Sequence, residues 1–420
     1  MSALSHGDTA WVLMSAALVL FMTTPGLALF YGGMLRAKNV LNIMMQSFFI
    51  MAAVSILWAV VGYSLSFGHS VGSGIIGNLN LAGLAHAGAA VPGFSHLRVP
   101  SDAFAVFQMM FAVITAALIT GGTAERTKFS GFMIFIVLWS LLVYAPIAHW
   151  VFSPQGWLAH KGVLDFAGGT VVEINSGFST LGVVLVLGKR RGWPRESMSP
   201  HSVPLSLAGA GILWFGWFGF NAGSAGAANS VAVHAFVNTQ LAACAGLLGW
   251  LLVEKLGTRY ATTVGAAAGA IAGMVAITPC AGFVDTLPSI LIGAAAGVVS
   301  AFAVKMKFKF GFDDSLDVLG VHGMGGVVGM ILLGLFATTE VNRGGANGVF
   351  YGGGAHLFLV QLLATAVSAA YAFGASWVLA KIVASTIGLR ATAEQESMGL
   401  DESVHAESAY AGAGMGRIGH

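Results

Sequence analysis

Long unbroken apolar runs, each ended by a short polar or glycine-rich punctuation, constrain this chain more than any other feature. A helix needs about twenty apolar residues to cross roughly 30 Å of hydrocarbon. Eleven runs of that order lie near 10–33, 40–67, 104–123, 129–151, 167–188, 203–223, 233–253, 260–279, 287–304, 316–338 and 356–384. They do not alternate apolar with polar, which excludes a membrane β-barrel. The 19 Lys and Arg and 17 Asp and Glu make only 9% of the 420 residues charged, against about 25% in soluble domains. A chain that is 56% apolar cannot cover its own surface in water. The expected fold is therefore an all-α polytopic membrane protein with eleven transmembrane helices.

Ser5, His6, Gly7 and Asp8 precede the first run with no Lys or Arg, so no signal-peptide n-region is present and that run is expected to stay in the mature protein. Cys244 and Cys280 carry no metal or redox spacing and read as small core residues. No metal or cofactor is implied, and the scattered basic residues form no nucleic-acid face. HExxH, GxxxxGK[ST] and GxSxG are missing, which leaves no support for an enzyme.

Orientation follows from Lys and Arg. With the N-terminus outside and the C-terminus inside, sixteen of the nineteen, from Arg36 and Lys38 to Arg390 and Arg417, fall on the cytoplasmic side. Only Arg98, Lys161 and Arg343 remain outside, the bias expected of a cytoplasmic membrane. Moving one span would exchange the two sides for everything downstream. The connection at about 68–103, with Gly72, Gly74, Pro92 and Pro100, reads as a packed outer loop. Residues 1–384 form the transmembrane unit and 385–420 a solvated cytoplasmic tail rich in acidic residues.

Eleven spans divide as five plus five plus one. An odd number per half makes the second half enter the bilayer upside down, an inverted repeat with substrate handled at the repeat interface. Helices 5 and 10, the last of each half, both combine glycines with a single ionisable residue. Gly265, Gly269 and Gly273, Gly293 and Gly297, and Gly325 and Gly329 recur at four-residue spacing and are expected to serve close helix packing.

Those lone ionisable residues are Glu173 in GGTVVEINSG and His322 in DVLGVHGMGG. Both lie too deep to reach a headgroup, so they must be paired, neutral or facing water. The bland reading is a hydrogen bond that ties two helices. A shared role in handling a proton or a small polar solute is preferred, because intramembrane ionisable groups are costly to keep without function. Asp165 precedes the glycines that open helix 5 and reads as a cap, ahead of a direct substrate contact. Phe107 and Phe111 share a helix face, and Trp214, Phe215, Trp217, Phe218 and Phe220 crowd helix 6. Taken alone, these rings read as packing, with a cation-binding gate as the alternative.

At these residues the sequence resembles the ammonium transporter (Amt/Mep/Rh) family, in its bacterial Amt branch. FMTTPGLALFYGGMLRAKNVLN, AERTKFSGF, LDFAGGTVVEINSG, GWFGFNAGSAG, AGAIAGMVAITP, DDSLDVLGVHGMGG and the tail GLRATAEQESMGLDESVHAESAY carry it in order along nearly the whole chain. The resemblance implies a homotrimer of eleven-helix subunits, each with a narrow apolar pore for ammonium and its analogue methylammonium. It assigns Phe107, Phe111, Phe152 and Ser224 to an outer recruitment site, Phe111 and Phe220 to a stacked gate, Asp165 to the family's essential aspartate, and Glu173 and His322 to the pore pair. Two positions depart from the pattern. The family usually has histidine where this chain has Glu173 and tryptophan where it has Phe152. The tail resembles the segment through which family members meet PII signal proteins. An ammonium sensor with little flux is the alternative to a transporter, and the absence of an appended signalling domain counts against it.

Overall fold

The computed structural model describes residues 4–85, 91 and 93–410. Pro92 and Arg417, and the last ten residues of the tail, lie outside the described residues. Among the described residues ten helices are long and apolar enough to cross a bilayer: α1 His6–Met34, α2 Ala37–Phe67, α3 Ser101–Thr123, α4 Phe129–His160, α5 Gly169–Leu187, α6 Val203–Gly223, α7 Ser230–Thr258, α9 Thr286–Phe310, α10 Leu319–Phe336 and α11 His356–Thr386. The remaining apolar helix, α8 Thr263–Ile277, has 15 residues. At 1.5 Å per residue it spans only about 22 Å.

Non-helical backbone makes up the difference after α8. Residues 278–284 leave the helix yet are buried, which a membrane protein tolerates only where protein satisfies the backbone. Cys280 N–H donates to Ile277 O, and Phe283 and Val284 N–H both donate to Cys280 O. The Asn238 amide of α7 donates to the carbonyls of Ala281 and Val284. Cys280 is buried here as expected. Cys244 is only half-buried and meets the exposed Gln240 amide, so it is not the core residue the sequence suggested.

Small residues decide where helices touch. A Cβ added at Gly273 of α8 would stand 2.1 Å from Ala242 O of α7, and one at Gly297 of α9 would stand 2.1 Å from Gly246 O. No side chain fits, so α7, α8 and α9 pack backbone against backbone, the expected use of these stripes.

Wide, π-type turns interrupt α1 at Met22–Leu27, α2 at Trp58–Gly62 and α4 at Ser140–Tyr144, and open α5 at Gly169–Ile174 and α10 at Leu319–Gly323. Such turns re-aim the side chains they carry and gather at functional positions. Those of α5 and α10 hold Glu173 and His322.

The described part of the outer loop is packed. Strands β1 Ser70–Val71 and β2 Ile76–Gly77 form a short antiparallel pair. Trp150 Nε1 donates to Ile75 O at 2.7 Å, and Trp157 N–H donates to Gly74 O at 3.2 Å. At the other end the basic residues gather around buried carboxylates. Two short tail helices, α12 Ala393–Met398 and α13 Leu400–His405, lie against this end. Asp401 of α13 accepts from the Leu41 and Asn42 amides in the first turn of α2's regular helix, at 3.0 and 2.8 Å.

Candidate functional site

The site is a file of three cavities along one protomer. The outermost, about 220 Å³, is walled by Phe107 and Gln108 of α3, Phe152 of α4, Asp165, Ser224 at the end of α6, and Phe94, His96 and Leu97 of the outer loop. Below it Phe111 stacks on Phe220, with ring centroids 4.3 Å apart and planes at 25°. Phe107 meets Phe111 edge-on at 4.9 Å, and Phe152 does so at 6.4 Å. Phe111 is fully buried and stands beneath the cavity rather than on its wall, so of the rings assigned to the recruitment site it belongs geometrically with the stack.

Past the rings lies a cavity of only about 10 Å³, lined by Leu118, Val172, Trp217 and Phe220 with Glu173 and His322 as its ionisable members. His322 also lines the third cavity, about 120 Å³, with Tyr31, Glu254 and Asp317. The imidazole thus stands between the narrow section and the inner mouth.

Asp165 has all of its acceptor capacity in use. Oδ1 takes the amides of Gly168 and Gly169 at 2.8 and 2.6 Å; Oδ2 takes the Thr170 amide at 2.8 Å and the Thr170 hydroxyl at 2.5 Å. These are the orphan donors of a helix start, and a carboxylate also suits the positive end of the helix. Gly168 makes the turn possible: its φ of +115° is a conformation that side chains resist. Capping is thus the role the geometry gives Asp165, while its carboxylate still lines the outer cavity.

Glu173 Oε2 and His322 Nδ1 are 2.7 Å apart, and both residues are buried, at 1% and 5% exposure. Glu173 Oε1 and His322 Nε2 have no partner among the described residues. One edge of each group therefore joins the pair, and the other is available to the passage. Whether the proton rests on the carboxyl or the imidazole, the pair carries no net charge so long as it holds one proton, which lessens the cost of burial.

Glycines hold this geometry. A Cβ at Gly177, four residues past Glu173, would stand 2.4 Å from Gly323 Cα. One at Gly326, four past His322, would stand 3.0 Å from Glu173 Cβ and from Gly169 O. Glu173 and His322 are thus each followed by a glycine that lets the opposite helix approach.

Sequence reasoning passed over Gln108, His96 and Tyr31. Gln108 had a signal, as a polar amide set between Phe107 and Phe111 in an otherwise apolar stretch.

The fold and the site together define a polytopic helical membrane protein with a file of largely apolar cavities on either side of a stacked ring pair. A family model described as Ammonium Transporter Family matches residues 10–410, and the chain belongs to that family. It is 50% identical to "Ammonium transporter" of Bacillus subtilis (strain 168), over 96% of this chain and 98% of that protein. Its fold matches the crystal structure of Saccharomyces cerevisiae Mep2 with a TM-score of 0.87 and 35% identity, covering 94% of this chain and 89% of the other. It also matches a structure described as "Sensor Amt Protein", with a TM-score of 0.85 and 28% identity over 94% and 97% of the two chains. The family is one of transporters rather than enzymes.

Proposed function

We propose that this protein moves ammonium across the cytoplasmic (inner) membrane by separating the cation into ammonia and a proton. The carrying observation is the Glu173–His322 pair, 2.7 Å apart in the narrow apolar section behind the Phe111/Phe220 stack. NH4+ enters the outer cavity, where the faces of Phe107 and Phe152 attract a cation and the Ser224 oxygen accepts an N–H. It gives up its proton to water in the outer cavity, before the rings. NH3 passes Phe111 and Phe220, and the pair relays the proton or holds the transiting molecule through Glu173 Oε1 and His322 Nε2. A passage this narrow and apolar penalises K+, which cannot shed its charge by deprotonation.

Three further assignments follow the family resemblance: assembly as a homotrimer, contact of the tail with a PII-type signal protein, and methylammonium as a transported analogue. The docked helices α12 and α13 support the second, since they present the tail on the basic end of the protomer. No cofactor or metal is part of the reading.

Ammonium-evoked currents in proteoliposomes test the pair. Glu173→Gln combined with His322→Ala should abolish the current or admit K+; unchanged rate and selectivity would remove the pair from the mechanism. Glu173→His, in an ammonium-uptake-deficient host at low ammonium, should still rescue growth with altered pH dependence. The likeness to a sensor favours a second reading, in which ammonium binding signals through the tail with little flux. Ligand-induced partner binding without methylammonium uptake would establish that reading instead.

A further inference from the structure

Three side chains on the wall of the outer cavity carry oxygen, and two of them have acceptor capacity to spare. Asp165 takes four donors on its two oxygens. Phe152 offers a ring face and no polar atom. Ser224 donates its hydroxyl proton to Phe220 O at 2.8 Å, which keeps the oxygen's lone pairs for a guest. Gln108 is the other. It lines the same cavity from α3, one residue from Phe107 and three from Phe111. Its Oε1 is buried without a hydrogen bond, and its amide nitrogen has none among the described residues.

A buried amide oxygen with no donor is unusual in a packed helical protein, because buried polar groups almost always find partners. A half-turn about the broad terminal torsion exchanges oxygen and nitrogen, so the end facing the cavity can present an acceptor. We propose that Gln108 is a binding residue for the transported cation, its amide oxygen accepting one N–H of ammonium or methylammonium in the outer cavity ahead of the stacked rings. This rests on the transport reading above.

The chemistry suits that position. A neutral amide oxygen holds an N–H cation without adding the formal charge that would oppose its deprotonation a few ångströms further in. Ser224 and Gln108 together satisfy two of the four N–H groups of ammonium, and the aromatic faces take up part of the remaining charge. K+ gains less, since ion filters replace a hydration shell with a ring of several oxygens, and the side chains of this cavity offer two that are uncommitted. Methylammonium keeps three N–H donors and places its methyl group against the rings.

Saturation kinetics of labelled methylammonium uptake test the assignment, with wild type, Gln108→Leu and Gln108→Glu reconstituted at matched density. Leucine keeps the bulk and removes the acceptor: KM should rise about tenfold, the scale of a hydrogen bond to a charged group, with Vmax within about twofold. Glutamate keeps an acceptor and adds charge: KM should stay at or below wild type, and K+ should become an inhibitor. An unchanged KM in Gln108→Leu, a fall in Vmax alone, or the same KM increase in both variants would overturn the proposal. Wild type that takes up no methylammonium would instead overturn the transport reading on which it stands.

Discussion

One carboxylate fixes how α5 begins. Asp165 satisfies three backbone amides and a hydroxyl that would otherwise be orphaned where the membrane-buried part of the helix starts. Asp165→Ala should cost several kcal/mol, at about 1–3 kcal/mol for each buried donor left unsatisfied, with methylammonium uptake lost as the Gly168–Thr170 turn relaxes. Asp165→Asn keeps one acceptor oxygen and should fall between alanine and wild type. Thermal unfolding in detergent gives the order; an alanine variant as stable as wild type would contradict the capping role. Asp165, Glu173 and His322 were legible in the sequence because charge inside an apolar run is costly enough to stand out. Gln108 was not, because an uncharged amide is cheap enough to read as an ordinary helix residue.

The repeated element explains why Glu173 and His322 meet. Asp165 lies eight residues before Glu173 and caps α5; Asp314 lies eight before His322 and accepts from the Val318 and Leu319 amides at the start of α10, at 3.1 and 2.8 Å. Gly177 and Gly326 each follow by four. The same cap, wide turn and crossing glycine thus occur on helices that enter the membrane from opposite sides, the geometry an inverted repeat requires. The sequence showed the glycines and the parity of the spans. It hid the wide turns, since GTVVEI and LGVHG contain nothing that separates a π-type turn from an α-helical one, and it overran α8, which ends at Ile277, because Thr278 and Pro279 are uncharged and mark the end less sharply than a charge would. Gly177→Ala should force α5 and α10 apart, breaking the 2.7 Å contact between Glu173 and His322, and should lower methylammonium uptake at least tenfold. Gly211→Ala on α6, where an added Cβ meets nothing within 4 Å, is the control and should transport normally. Equal activity of the two variants would show that the close crossing does not hold the pair.

At the scale of the whole protomer, a buried ionic lattice ties the cytoplasmic loops together, and this the sequence did not reveal. Its members, AERT, KRR and DDS, looked like separate loop charges that mark helix ends. In the fold Glu125 pairs with Arg36 at 2.9 Å and Arg190 at 3.2 Å, and Arg190 reaches Asp313 at 2.9 Å. Arg126 is fully buried beside them and donates to Ser315 Oγ and Asp313 O. Arg390 extends the contacts toward the tail by pairing with Glu396 at 2.6 Å. Burial acts to raise the Glu125 and Asp313 carboxyls, but the hydrogen bonds and charges of Arg36 and Arg190 on the first, and of Arg190 and Arg126 on the second, outweigh it and hold both below the usual carboxylate range. A depressed folded-state pKa contributes stability above the unfolded value, about 4, and that stability disappears as pH falls through the lower folded value. The melting temperature in detergent should therefore lose this contribution only below about pH 4. Arg190→Gln leaves two buried carboxylates short of a partner and should cost about 3–5 kcal/mol at pH 7. Protonation relieves that loss, so the gap between variant and wild type should narrow steadily as the medium is acidified. A gap that stays constant from pH 7 to pH 3 would mean that Arg190 acts through packing and not through charge.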